Sequence, residues 1–168
     1  QISNINCAVK KGERKVFKEN KIPYSKLAEH IGKFPVVMIT PYDINLILEG
    51  SEIRRKFIDS LISQFNRKYL DTLILYNNLL LQRNTILKKW SDLKIDQSSL
   101  LEIIDYQLIK KGNFIYKTRK EFLIEFIPEF NFYYNNISQN KENVELIYNS
   151  SLSKDNFENI LKINLQKD

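Results

Sequence analysis

The spacing of apolar residues along the chain changes once, near residue 50, from short runs broken by turn residues to a helical period. Before that point Ile2, Ile5 and Cys7 to Val9 read as a loose strand, Lys10-Lys11-Gly12-Glu13 as a turn, and Arg14 to Lys18 as the return of a hairpin. Ser25 is placed to cap a short helix over Lys26 to Ile31, which Gly32 would end. The run Pro35-Val36-Val37-Met38-Ile39-Thr40 is continuous, apolar and bounded by turn signals, so its length predicts a buried strand.

From Ser51 onward Ile53, Phe57, Ile58, Leu61, Ile62 and Phe65 share one helical face, with Ser51 as expected N-cap and Glu52 in the first turn. Tyr69, Leu73, Tyr76, Leu80, Arg83 and Leu87 then repeat at spacings of four and three, a heptad-like seam. After the polar stretch Ser91 to Ser99, near-heptad spacing resumes through Ile104, Leu108, Gly112, Ile115, Arg119, Phe122, Phe126, Phe130 and Tyr133. Two long helices with a polar connection, at about 66–89 and 99–134, predict an antiparallel hairpin arm. Gly112 inside the second helix costs about 1 kcal/mol relative to Ala, which suggests close approach of a neighbour. Pro128 should kink or end that helix. A short strand, Val144 to Tyr148, and a weak helix from Lys154 to about Leu165 complete the expectation. The fold class is therefore α+β: a small β-rich base over residues 1–50, then a mainly helical arm over 51–168.

Charge adds a polyanion partner to this picture. Residues 1–90 carry sixteen Lys/Arg against eight Asp/Glu, a net of +8, while residues 91–168 carry ten against twelve. A chain rich in Lys, Asn and Ile and poor in Ala can owe part of that charge to its composition alone. No run of residues has the length and apolarity of a membrane span, and the first residues lack a charged and then apolar secretory signal. Cys7 stands alone, which excludes an internal disulfide and CxxC metal sites; a cytoplasmic location follows as the expectation.

Much familiar catalytic chemistry is absent from the sequence. His30 is the single histidine, so catalytic triads and multi-histidine metal sites are excluded. Gly32-Lys33 is not a phosphate-binding loop, because Leu27 stands where the first glycine is needed and Phe34 follows the lysine. No apolar strand ends in paired acids, so the metal-holding Walker B element is missing as well.

One ordered set of landmarks is specific. Pro35-Val36-Val37-Met38-Ile39-Thr40-Pro41-Tyr42-Asp43 is followed by Leu46-Ile47, Gly50-Ser51 and Arg54-Arg55-Lys56-Phe57-Ile58-Asp59. Tyr76 and Leu81-Gln82-Arg83-Asn84 come next, then Leu108, Gly112, Ile115 and Arg119. This succession resembles the RecF family, related to SMC and ABC-type ATPase heads, most strongly over residues 34–90 and weakly beyond about 135. Ser51-Glu52 departs from the proline that the family often carries there. The resemblance implies an internal fragment: the end of an ATPase lobe plus a helical arm, with Walker A before it and the signature and Walker B after it. It also implies no enzyme activity for this chain alone, although the full-length family is a weak DNA-dependent ATPase using ATP and Mg. The family implication extends to an ATP-dependent homodimer, DNA (single-stranded or gapped duplex), RecO/RecR-type mediators and loading of a RecA-type recombinase in repair and the SOS response.

Candidate residues follow from these readings. Arg67, Lys68, Lys88 and Lys89 bracket the long helix and are the leading DNA contacts, with Arg54 and Lys56 as further candidates. Pro41, Asp43, Arg55 and Asp59 fall at the expected junction of lobe and arm. There Asp43 either caps the next helix or senses Mg indirectly, and Arg55 can pair with Asp59 at i,i+4. Gln82, Arg83 and Asn84 interrupt the seam and are expected to fix the register of the hairpin. The aromatic group Phe122, Phe126, Phe130, Phe132, Tyr133 and Tyr134 reads as core. The competing reading is a helical hairpin that docks other proteins and makes no direct DNA contact.

Overall fold

A computed structural model describes residues 2–93 and 98–165. Its contacts divide the chain into two compact units, Gln1–Leu70 and Asp71–Asp168, so the first helix after residue 50 groups with the residues before it.

The first unit begins with an antiparallel sheet of β1 (Ile5–Ala8), β2 (Val16–Glu19) and β3 (Ile22–Pro23) in the order β1-β2-β3. Ile5 faces Glu19 and Ala8 faces Val16, which sets the hairpin register. The β1–β2 connection turns at Lys10 to Glu13, where the Glu13 amide donates to the Lys10 carbonyl and Gly12 supplies the positive φ of 82° at the third position. β3 was not expected from the sequence. It follows a two-residue turn in which Asn20 and Lys21 both have positive φ, 49° and 72°, the pairing that matches strand twist. The predicted short helix is a 3-10 turn, Leu27–His30, and Ser25 bonds Glu29 without capping it. Gly32 has φ +84° and lies so close to the Gln64 carbonyl oxygen that a Cβ there would meet it at 2.1 Å.

Pro35 to Thr40 is not a strand. It has no regular structure, and Val36, Val37, Met38 and Ile39 are 72 to 91% exposed. A strand exists only as part of a ladder, and no described segment pairs with this one. Beyond it come a 3-10 turn at Pro41–Ile44, α1 (Asn45–Leu48) and α2 (Ser51–Phe65). Gly50 rather than Ser51 is the N-cap of α2, and no side chain caps it; Ser51 instead accepts from Arg55 one turn on. Of the predicted α2 face, Ile62 is fully buried and Phe65 is exposed.

The second unit contains most of α3 (Arg67–Leu93) together with α4 (Ser98–Ser138) and α5 (Phe157–Leu165). Asn66, with extended backbone, accepts the Tyr69 amide through Oδ1 and so caps α3. Ile86 packs with Leu101, Ile104 and Leu108, flanked by Tyr76, Leu79 and Leu87. Residues late in α3 thus meet residues early in α4, the signature of an antiparallel hairpin. Gly112 is buried, and a Cβ on it would meet the Phe157 ring of α5 at 2.1 Å, so the predicted close approach is made by α5.

Of the kink or end expected at Pro128, the end is excluded, since α4 runs ten residues further to Ser138. The lost hydrogen bond costs about 3 kcal/mol. Against it stands a ladder of stacked rings spanning the proline: Phe122–Phe126, Phe126–Phe130 and Phe130–Tyr134, at centroid distances of 5.4, 6.3 and 5.7 Å. The aromatic group is also not core: the ladder rings are half-buried, and Phe132 and Tyr133 are exposed. Val144 to Tyr148 forms no strand, having no ladder partner; Tyr148 stacks instead on Tyr116. The last helix starts at Phe157, where Asn156 accepts the Asn159 amide as its cap.

Candidate nucleic-acid interface

The structure employs several of the predicted DNA contacts inside the fold. Arg54 donates from one terminal nitrogen to the carbonyls of Leu46 and Glu49, both at 2.9 Å, and so satisfies the C-terminal end of α1. Arg67 donates to the Ala28 carbonyl at 2.7 Å and ties the Leu27–His30 turn to the start of α3. Lys56 pairs with Glu52 at 2.7 Å on the exposed face of α2. Lys68 and Lys88 are exposed, and the Lys89 side chain lies outside the described residues.

At the predicted junction, Pro41 occupies the first turn of its 3-10 helix. Asp43 accepts the Thr40 amide at 2.6 Å and completes a capping box with Thr40. Asp43 thus closes the 3-10 turn that contains it and does not cap the next helix, α1, whose N-cap Ile44 makes no side-chain capping bond. Arg55 donates to Ser51 Oγ at 2.7 Å, whereas Asp59 accepts from the Tyr69 hydroxyl at 2.5 Å; the predicted Arg55–Asp59 pair is replaced by these two bonds. The buried Tyr69 ring brings its hydroxyl to Asp59, and that satisfied polar group wins over a solvated arginine.

In the polar interruption of α3 only Arg83 points inward. It is 4% exposed and its Nε donates to Asp105 Oδ1 of α4 at 2.7 Å, while Gln82 and Asn84 are exposed. Arg83 with Asp105 is therefore a buried polar contact between α3 and α4.

The sheet carries a second group of cations that sequence reasoning left out. Lys11, Arg14, Lys15, Lys18 and Lys21 are all exposed, and their side chains make no hydrogen bond or ion pair among the described residues. Glu13 is held by Lys10 at 2.6 Å and Glu19 by Lys33 at 2.6 Å, so neither nearby acid is left to neutralise them. The signal was present as six Lys/Arg against two Glu over residues 10–21. Beneath them His30 packs among the rings of Phe17, Tyr24 and Phe34, at 5.4, 5.5 and 5.7 Å, which is a packing role. Glu19 is held below the usual carboxylate range first by its bond to Lys33 and then by the Tyr24 hydroxyl. Lys33 is raised chiefly by the same bond, and Tyr24 is raised by burial and then by Glu19.

No family model matches the chain. The DNA replication and repair protein RecF of Flavobacterium johnsoniae is 44% identical over 164 residues, which cover 98% of this chain and 46% of that protein. The RecF of Azobacteroides pseudotrichonymphae is 46% identical over 151 residues, 90% of this chain and 41% of that protein. The solved structure of the recombination mediator protein RecF-ATPrS in the RecFOR pathway superposes with a TM-score of 0.85 at 32% identity, over 99% of this chain and 47% of that one. Over nearly all of its length the chain is similar to RecF. It spans about 46% of the length of its Flavobacterium relative. The α+β architecture with its helical hairpin is that of the matching part of RecF.

Gly32 and Lys33 are not arranged as a phosphate cradle. Gly32 turns its bare face to the Gln64 carbonyl, an acceptor that would repel phosphate oxygens, and Lys33 is already held by Glu19 and lies 4.8 Å over the Tyr24 ring. No group of three or more potential metal-ligating side chains exists among the described residues. No helix among them is long and apolar enough to cross a membrane.

Proposed function

We propose that this RecF-type segment belongs to a DNA replication and repair protein and contributes DNA contacts in recombinational repair. The observation carrying this reading is the structural match to a RecF structure, TM-score 0.85 over 99% of the chain. In the full-length protein, DNA binding is ATP-dependent and made by a homodimer, with ATP and Mg held by parts of the protein other than this segment. The products of that binding are engagement of RecO/RecR-type mediators and loading of a RecA-type recombinase at single-strand gaps. The segment alone hydrolyses no ATP.

The direct test is titration of the chain against duplex, gapped and single-stranded oligonucleotides at several salt concentrations. Non-specific binding has a dissociation constant of about 10⁻⁴ to 10⁻⁶ M at physiological salt, and a fragment belongs at the weak end. Sequence-independent, salt-dependent binding supports the reading. Its absence favours the second reading, a hairpin that docks proteins, for which the exposed Phe132, Tyr133 and Ile137 near the end of α4 speak. Phosphate release above a protein-free blank would contradict the statement about ATP.

A further inference from the structure

We infer that the exposed cations of the β1–β2–β3 sheet, Lys11, Arg14, Lys15, Lys18 and Lys21, form a contact surface for the phosphate backbone of nucleic acid. The inference rests on the DNA-binding reading above and assigns its contacts to a part of the fold outside the predicted set. Three observations carry it.

The first is availability. Among the predicted contacts, Arg54 and Arg67 spend their guanidinium groups on backbone carbonyls and Lys56 is paired with Glu52. The five sheet cations have no such partner among the described residues, and the two acids beside them are held by Lys10 and Lys33. A cation already paired gains less from meeting a phosphate than a solvated one, because it must first give up its partner.

The second is placement. Lys11 sits at the tip of the β1–β2 turn, Arg14 and Lys15 lie in the connection just before β2, Lys18 lies within β2, and Lys21 lies in the β2–β3 turn. Extended chain from Arg14 to Lys18 reaches up to about 14 Å. Duplex DNA offers one charge per about 1.7 Å of axis, so such a row meets several phosphates at once. Contacts of that kind read charge and spacing and carry no base sequence.

The third is strain. Lys21 holds φ 72° at the second position of a two-residue turn, where glycine is the residue with no Cβ cost. Asn20 tolerates its own positive φ and anchors the turn by accepting the Asn4 amide at 2.9 Å, whereas Lys21 makes no side-chain bond among the described residues. A lysine kept in a glycine position without a structural partner points to a use for its charge at the surface.

The experiment is fluorescence anisotropy of a labelled duplex titrated with the 168-residue chain at four or more salt concentrations, with circular dichroism and melting of every variant. Lys21→Gly should melt no lower than the parent, since it removes the turn strain, and should flatten the log–log salt slope by about 0.9. The variant with Lys11, Arg14, Lys15 and Lys18 all changed to Gln should flatten it by about 3 to 4. Lys162→Gln should leave the slope unchanged, since Lys162 is paired with Glu158 and lies outside the surface. A parental slope in both sheet variants, with the parent binding DNA, overturns the sheet surface and leaves the DNA reading standing. A parent with no salt-dependent binding overturns both.

Discussion

In Asp71–Asp168 the apolar residues that the period places on one face end up against one another, with Leu101, Ile104 and Leu108 nearly inaccessible. In Gln1–Leu70 the equivalent run, Val36 to Ile39, stands in water. The cause is the range of the backbone hydrogen bonds. A helix closes its bonds within four residues, so α3 and α4 form on their own ladders and need neighbours only for their side chains. A strand has no bond of its own and takes its structure from a partner. β1, β2 and β3 find partners by two tight turns within residues 5–23. Pro35 to Thr40 has none among the described residues, and a sequence with strong β propensity stays irregular. Charge divides the same way: Gln1–Leu70 holds thirteen Lys/Arg against seven Asp/Glu, and Asp71–Asp168 thirteen against thirteen.

The sharpest way to break this comparison is native-state hydrogen exchange. Amides in the middle of α4, around Leu108 and Ile115, should be protected by orders of magnitude. Those of Val36, Val37, Met38 and Ile39 should exchange close to the rate of unfolded chain, since none donates a hydrogen bond among the described residues. Protection at 36–39 equal to that at 108–115 would show a ladder partner for the run and remove the contrast.

Each unit also has one glycine that a neighbour presses on, and the two should respond unequally. At Gly32 the obstacle is the Gln64 backbone and the φ is +84°, so neither side can yield. Gly32→Ala should cost about 3 kcal/mol, combining left-handed strain with overpacking. At Gly112 the obstacle is the Phe157 ring, and the helix itself would prefer Ala. Gly112→Ala should therefore cost only about 1 kcal/mol, and adding Phe157→Leu should restore most of it. Denaturant midpoints of the three variants decide the matter; equal costs at the two glycines would mean that the Phe157 ring is as immovable as backbone.

Between these lies the Arg83–Asp105 pair, at side-chain exposures of 5 and 20%. Asp105→Ala takes a carboxylate away from a buried guanidinium and should cost about 2 to 3 kcal/mol in chemical denaturation, somewhat below the figure for a fully buried pair because Asp105 is partly solvated. A loss under about 0.5 kcal/mol would assign the register of the hairpin to the apolar seam alone.

Legibility in the sequence follows the same divide. Tyr69, Tyr76, Arg83 and Leu87 of the seam and the α4 positions Ile104, Leu108, Gly112 and Ile115 were readable because helical period and packing face are one signal, whereas Leu80 is exposed and Leu79 packs in its place. The ordered landmarks from Pro35 to Asn84 were readable as family, although the strand they include is not formed here. What escaped was set by partners distant in sequence: Arg67 on the Ala28 carbonyl, Tyr69 on Asp59, Asp105 on Arg83. Position at the start of the long helix makes Arg67 a candidate DNA contact, but a sequence does not show which carbonyls Arg67 and Arg54 already serve. The sheet cations are hard to read for the opposite reason, since a loosely patterned hairpin does not show in sequence which of its cations stay exposed without a partner.

The smallest predicted effect concerns the Glu19–Lys33 pair, which joins β2 to the residue after Gly32 in the first unit. Glu19 titrates below its ordinary value of 4.5 when folded, so its contribution is present above that value and fades as pH falls through the lowered one. Lys33 titrates above its ordinary value of 10.5, so its side of the same contribution is present below that value and fades as pH rises through the raised one. Side-chain exposures of 23 and 44% let water screen the pair, and the gain should be slight across the plateau between these limits. Glu19→Gln should lower the melting temperature by a small, constant amount over that plateau, and the difference from the parent should vanish below the folded value of Glu19. Added salt should shrink it as well, as for any exposed pair. A difference that instead persists undiminished in acid would trace the loss to packing beside Tyr24 and His30 and not to the ion pair, since both protonated Glu19 and glutamine can still accept from the Tyr24 hydroxyl.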